Sequence, residues 1–333
     1  MGKKATIYDV SRKAGVSAAT VSRVLNNPGK VNPETRRAVE TAIRDLDYKP
    51  LLEMRLRSVK NVPRICVCSP HFTSQSYVQR LRGIHEHLGA LDFETELQIR
   101  VVNSKSQLDR FIETISMRDL DGIIFLSLMV SDEQVRKIRK AGVECVLVEK
   151  ESQLCSCILN DDYEGGRVAA RYLIERGYED FGVLCEPFHW DYTVYTMEDR
   201  VKGFRDELGL NGYSLPDQFY FTNRMESEAV RRQMGEVFRE GAYPRAFFAT
   251  ADIMAFGLLQ AVRDADLKVP DNAAVIGFDD LDFSDAFGLT TISQHLEESG
   301  RIAAGILMGK LRNPNSADQQ VRLTLSLVER ESA

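Results

Sequence analysis

"AGVSAATVSRVLN", residues 14–26, holds no metal ligand, no acid–base pair and no phosphate loop, yet its order of small, hydroxylated and apolar residues decides how the N-terminal region folds. Gly15 suits a left-handed helix-ending position, where a Cβ would be costly. Ser17 can then cap a second helix by accepting from a free backbone N–H two or three residues on. Val16, Val21 and Val24 face inward, which leaves Ala18, Ala19, Ser22 and Arg23 outside. Upstream, Ile7, Val10 and Ala14 follow i, i+3, i+4 spacing and make an apolar face for a first helix. Downstream, "NPETRRAVETAIRDLDY" (32–48) predicts a third helix, with Asn32 as cap, Pro33 at the first helical position and Glu34 in the first turn. Val39, Ile43 and Leu46 of that helix would bury the first two. The pattern is a helix-turn-helix, whose second helix enters the DNA major groove with its N-terminal residues against base edges. Alanine and threonine there allow close approach and methyl contact with thymine, and Arg23 can bind guanine or a phosphate.

The charge distribution agrees. Residues 1–60 contain 13 Lys/Arg against 6 Asp/Glu, a balance of +7, whereas the remaining 273 residues carry −13. A basic head on an acidic body suggests that the head meets a polyanion and the body does something else. At 333 residues, with 44% hydrophobic and 28% charged residues, the chain reads as globular with two or three domains. No stretch approaches the ~18 consecutive apolar residues of a membrane helix, and no apolar signal region follows the first residues, so a cytoplasmic location and no membrane partner are expected. Cys66, Cys68, Cys145, Cys155, Cys157 and Cys185 lie in hydrophobic runs, which fits reduced thiols. The C-x-C pairs place both thiols on one strand face, and no second pair completes a zinc site, so neither a metal nor a cofactor is expected.

From Pro63 the pattern turns from helical to alternating. "RICVCS" (64–69), "DGIIFLS" (121–127), "ECVLVE" (144–149), "DFGVLCE" (180–186), "AFFATA" (246–251) and "AAVIGFDD" (273–280) are short apolar runs. Helical stretches such as "YVQRLRGIHEHLG", "SDEQVRKIRKAG" and "EGGRVAARYLIERG" separate them. Strands alternating with helices predict parallel sheets covered on both faces, and the strand count predicts two lobes. A ligand would then sit beyond the carboxyl ends of the strands. His71, Phe72 and Gln75 follow the first run. His189, Trp190 and Tyr192 follow the fourth, where Trp190 could stack on a sugar face or simply pack in its loop.

Residues 6–50, "TIYDVSRKAGVSAATVSRVLNNPGKVNPETRRAVETAIRDLDYKP", resemble the DNA-binding head of the LacI/GalR family of bacterial transcription repressors nearly end to end. The resemblance implies that Ala18 and Ala19 help select the operator. It implies that Thr6, Ser17, Thr20, Ser22, Arg23 and Asn26 hold phosphates or bases, and that Tyr8 touches the backbone. The family continues into a short hinge helix that wedges a leucine into the minor groove. Here the stretch is "KPLLEMRLRSVKNVP": Leu51 replaces the usual asparagine, Glu53 intrudes and Leu56 falls one residue early. Leu56 is the candidate wedge, the alternatives being Arg57 in that register or a plain linker. In the body, "EDRVKGF" and "AVIGFDDLDFSDAFGLTTISQ" resemble the family's effector domain, itself similar to periplasmic sugar-binding proteins. The resemblance assigns Arg200 and Asp279 to the effector. An arginine and an aspartate facing one cleft give donors and acceptors for a polyol. Where many relatives have Asn-Asp, this chain has Ala251 before Asp252, and Asp252 is expected to cap the helix beginning at Ile253.

The expected organisation is a head over 1–50, a hinge over 51–62 and a two-lobed, type I periplasmic-binding-protein-like body over 63–333. Lobe 1 would take roughly 63–161 and 294–319, and lobe 2 roughly 162–293 and 320–331. The expected function is a transcription regulator, a repressor rather than an enzyme, acting as a homodimer on palindromic double-stranded operator DNA. A carbohydrate or derivative bound between the lobes would control it through the lobe angle and the hinge. A nucleobase is the alternative effector. A solute-binding receptor is the alternative of another class, against which the basic head argues.

Overall fold

Three helices, α1 (Ile7–Ala14), α2 (Ala18–Asn26) and α3 (Pro33–Asp45), form the N-terminal unit in the computed structural model, which describes residues 7–26, 31–46, 62–186 and 190–333. Gly15 breaks α1 from α2 at φ +68°, and Asn32 Oδ1 caps α3 by accepting from the Glu34 N–H at 2.9 Å. Val10, Val21, Val24, Val39 and Ala42 are buried together at the centre, with Val16, Ile43 and Leu46 packed around them. This is the small apolar core that the valine spacing predicts. Thr6 and Leu56 lie outside the described residues.

The larger unit begins at Val62. Its first lobe carries β1 (Arg64–Ser69), α4 (Gln75–Gly89), β2 (Glu96–Val101), α5 (Lys105–Glu113), β3 (Gly122–Leu126), α6 (Asp132–Lys140), β4 (Glu144–Val148) and β5 (Ser156–Asn160). The chain then crosses to a second lobe: α7 (Asp162–Glu175), β6 (Phe181–Cys185), α8 (Met197–Leu210), β7 (Tyr220–Thr222), α9 (Ser227–Glu240), β8 (Ala246–Ala249), α10 (Asp252–Asp264), β9 (Ala274–Asp279) and β10 (Thr290–Ser293). It returns for α11 (Leu296–Arg312) and β11 (Gln320–Leu323), and ends with β12 (Ser326–Val328). The sheets have strand orders β11-β5-β4-β3-β1-β2 and β12-β10-β9-β8-β6-β7. Among the described residues, the strands of these two sheets pair in parallel except β12 against β10.

Alternation along each strand sorts its side chains between two helix layers. In the first lobe Ile65, Val67, Ile124 and Val146 pack in the cluster shared with α4 and α11, while Cys66, Cys68, Phe125 and Leu147 pack with residues of α5 and α6. The Cys66 and Cys68 sulfurs lie 3.7 Å apart on that second face, and all six thiols are buried and free. In the second lobe Phe247, Ala249 and Val275 pack with α9 and α10, and Val183, Phe248 and Phe278 with α7 and α8.

Both lobes contain helix pairs in which backbones touch through glycine. A Cβ on Gly83 of α4 would fall 1.9 Å from the Glu297 carbonyl oxygen of α11, and one on Gly203 of α8 would fall 1.9 Å from that of Tyr163 on α7. No side chain fits either crossing. Two sequence expectations need correction. Residues 320–323 belong to the first lobe, because β11 pairs in register with β5 from Gln320↔Cys157 to Leu323↔Asn160, so the last crossing falls at residues 324–325. Asp252 does not cap α10: the helix starts at Asp252 itself, Ala251 is its cap position, and the aspartate is fully buried in contacts described below. Among the described residues no helix is long and apolar enough to cross a membrane.

Candidate functional site

At the start of α2, Ser17 Oγ accepts from the Thr20 N–H at 3.1 Å and lies 2.9 Å from Thr20 Oγ1. Both hydroxyls are therefore gathered where the helix's free N–H groups emerge, the usual place for an anion. Val21 and Val24 turn into the core, and Ala19 and Arg23 stand exposed, with Ala18 and Thr20 half-buried beside them. Tyr8 projects from α1 with 68% of its surface exposed. Ser22 and Asn26 belong to the same helix by backbone. A small-residue helix start with hydroxyls at its N-terminus, followed by an exposed Arg23 one turn on, is suited to close approach to a nucleic-acid groove.

The body's polar cluster forms where strand ends of the two sheets meet. Arg200, on α8, is 2% exposed; its Nε donates to Asp162 Oδ1 at 2.7 Å and its Nη1 to the Thr250 carbonyl at 2.7 Å. The guanidinium lies 3.8 Å over the Phe278 ring, with Nη1 3.6 Å from Asp279 Oδ1. The structure thus brings Arg200 and Asp279 together. Asp279 ends β9 and also accepts from the side-chain amide of Gln294, at the second lobe crossing. Gln294 Oε1 accepts in turn from Asn160 Nδ2 at 2.8 Å, at the first crossing, and from Arg80 at 3.4 Å. Arg80 on α4 is as buried as Arg200 and pairs with Glu149, which also accepts from Ser127. The chain runs at positive φ at Ser127, Glu149, Asp279, Asp280 and His295, a conformation that non-glycine residues hold only under surrounding constraint. The cluster is thus preorganised. Beside it opens a cavity of about 430 Å³ whose lining includes Asn160, Asp162, Tyr195, Lys202 and Arg322.

The other described sequence candidates make no direct contact with Arg200 or Asp279, although the His71 ring lies 6.4 Å from that of Tyr77 on α4. His71 and Phe72 are exposed in the loop after β1, Gln75 opens α4, and Trp190 is 54% exposed. Among the described residues no hydrogen bond, ion pair or ring contact joins these four to Arg200 or Asp279. His189 lies outside the described residues. Tyr192, expected to line the cleft, is instead buried in the first-lobe core. Its carbonyl accepts from the Met129 N–H at 2.9 Å, and the Val194 N–H donates to the Ser127 carbonyl at 2.9 Å. That segment of the second lobe clasps the first. Sequence reasoning missed Arg80, Glu149, Asp162 and Gln294. One signal was present: "RLRG" (80–83) repeats the Arg-x-x-Gly spacing of "RVKG" (200–203), with the glycine of each at its helix crossing.

Burial, aided by the Asp252 carboxylate, pushes the Asp279 carboxyl up to about 7 against the pull of Arg200 and Gln294. Burial also raises Asp162, again against Arg200. A carboxyl raised above its unfolded value contributes stability that is complete below the ordinary aspartate range and lost as pH climbs through 7. Asp279→Asn, which does not titrate, should therefore become progressively more stable relative to the parent between about pH 4 and pH 7, then level off. Urea unfolding of both proteins across that range measures this, and a pH-independent difference would refute it.

Residues 6–50 match the family model for bacterial regulatory proteins, lacI family, and residues 170–333 match that for a periplasmic binding protein-like domain. The chain is 30% identical over 341 residues to the ribose operon repressor of Escherichia coli (strain K12), covering 99% of this chain and 100% of that one. It is 27% identical over 336 residues to the HTH-type transcriptional regulator DegA of Bacillus subtilis (strain 168), covering 99% and 98%. Among solved structures, a complex of the transcriptional regulator CelR with cellobiose matches with a TM-score of 0.67 at 25% identity, covering 99% of this chain and 100% of that one.

Proposed function

The chain belongs to the lacI family of bacterial regulatory proteins, and from that premise we propose that it is a sequence-specific DNA-binding repressor controlled by a small carbohydrate-type effector held between the two lobes of its body. It acts in the cytoplasm as a homodimer on a palindromic operator, because one head makes few base contacts and twofold pairing doubles them. The observation that carries the DNA reading is the Ser17-capped α2, with its valines inward and Ala19 and Arg23 exposed. Ala18 and Ala19 meet base edges, and Tyr8, Ser17, Thr20 and Arg23 hold phosphates. Arg200 and Asp279 supply the donor and acceptor for effector hydroxyls. A relative named for a ribose operon and a structural neighbour complexed with cellobiose favour a carbohydrate.

Selection of bound duplexes from a random pool, followed by fluorescence anisotropy, tests the DNA claim. A palindromic consensus is expected, with affinity falling roughly a thousandfold between 50 and 200 mM salt as counterions are released. A folded protein that enriches no sequence, or binds without salt dependence, would overturn it. Calorimetric titration with pentoses, hexoses, disaccharides and purines tests the effector. One carbohydrate should bind and shift operator affinity; a purine binding while every carbohydrate fails would replace this assignment.

A further inference from the structure

The first sheet has a second recess at the opposite end from the cleft, where β1, β2 and β3 begin. It measures about 390 Å³, and its lining includes Arg64, Cys66, Gln98, Arg100, Phe111 and Arg118. The three arginines there are in different states. Arg64 is occupied: its Nε lies 3.0 Å from Glu96 Oε2, and it pairs with Asp119 as well. Arg100 and Arg118 reach no carboxylate at ion-pair distance among the described residues. Arg82, Arg139, Arg167, Arg176 and Arg231 of the same unit each do. The guanidinium carbons of Arg100 and Arg118 both lie 4.8 Å from the centre of the Phe111 ring. That ring is 1% exposed and fixed in the core, so it holds both groups in place. The Nε of each is buried without a hydrogen-bond partner, and among the described residues the side chain of Arg118 donates only from Nη2, to Thr114 Oγ1 at 3.0 Å.

Two guanidiniums packed against one buried ring, neither within ion-pair distance of a carboxylate among the described residues, line a recess whose acidic residues, Glu96 and Asp119, are engaged by Arg64. The parallel N–H donors of a single guanidinium are matched by a planar carboxylate or by two oxygens of a phosphate. We propose that this recess binds a small oxyanion, a phosphate or a compact carboxylate, between Arg100 and Arg118. It is a second ligand site, separate from the inter-lobe cleft. The acidic body elsewhere repels such anions, so the unpaired arginines give the recess its selectivity.

The full-length protein should be titrated calorimetrically with inorganic phosphate and, separately, with malonate, in chloride buffer at fixed ionic strength. At least one should give a saturable isotherm. Phosphate alone assigns a phosphate ligand, malonate alone a carboxylate, and both support the site. Arg100→Gln and Arg118→Gln should each weaken that binding at least tenfold while unfolding thermally as the parent does. Because the basic head also attracts anions, Arg12→Gln serves as control, Arg12 being exposed on α1 with its guanidinium 3.9 Å from Asp9; its isotherm should be unchanged. No saturable binding of either anion would overturn the proposal. So would variants at residues 100 and 118 that titrate like the parent.

Discussion

Asp252→Ala should lower the unfolding free energy of the body by about 3–5 kcal/mol, because it strands several buried donors at once. Asp252 has no exposed surface. Its Oδ2 accepts from the Leu281 N–H at 2.9 Å and from Ser284 Oγ at 2.6 Å, and its Oδ1 accepts from Thr291 Oγ1 at 2.6 Å. These donors come from the segment after β9 and from β10, so one carboxylate ties the start of α10 to the stretch that shapes the positive-φ turn at Asp279 and Asp280. Gly277 of β9 makes the room: a Cβ there would lie 2.2 Å from Asp252 Oδ1. Alanine would leave the amide and two hydroxyls facing a void from which water is excluded. An asparagine side chain would keep one acceptor oxygen, and the hydroxyls can rotate to accept from its amide, so Asp252→Asn should cost clearly less. Urea unfolding followed by tryptophan emission makes the measurement. Trp190 is the sole tryptophan and lies in the body, so the signal does not mix in the head. A loss below about 1 kcal/mol for Asp252→Ala would mean that the three donors find other partners.

The same residue shows where the sequence was legible and where it was not. An aspartate at a helix start reads locally as a cap, since capping depends only on neighbours two or three residues away. Its actual partners are 29 to 39 positions along the chain, and no local pattern encodes them. The six apolar runs were readable as strands because all are buried, β3, β6, β8 and β9 along their whole length. Strands β2, β7 and β11 lie at sheet edges, alternate between exposed and half-buried, and carry too little apolar signal. The late crossing at residues 324–325 follows from that weakness. In the site, Arg200 and Asp279 were reached through resemblance, and Arg80 was not, although it sits among the apolar positions Tyr77, Leu81 and Ile84 of α4. A charged side chain on a buried helix face requires a buried partner, and Glu149 supplies it.

Arg200→Leu is expected to destabilise the body by roughly 3–5 kcal/mol at pH 8 and to remove carbohydrate binding with it. Leucine keeps the packing over Phe278 but takes the counter-charge from Asp162 and Asp279, two buried carboxyls at 2.7 and 3.6 Å. The sign of the pH dependence separates this electrostatic cause from lost packing. Arg200 pulls both carboxyls down against the burial that raises them. Without it their folded-state values climb further above the unfolded ones, so the stability they contribute is retained at low pH and lost as pH rises. The penalty should therefore be small near pH 5 and full at pH 8. A packing defect would cost the same at both. Arg200→Lys restores the charge but not the fork that spans Asp162 and the Thr250 carbonyl. It should recover most of the stability while binding the carbohydrate found by calorimetric screening at least tenfold more weakly than the parent. If Arg200→Lys binds that carbohydrate as the parent does, Arg200 serves only to neutralise its two carboxylates, and the effector's contacts lie elsewhere in the cleft.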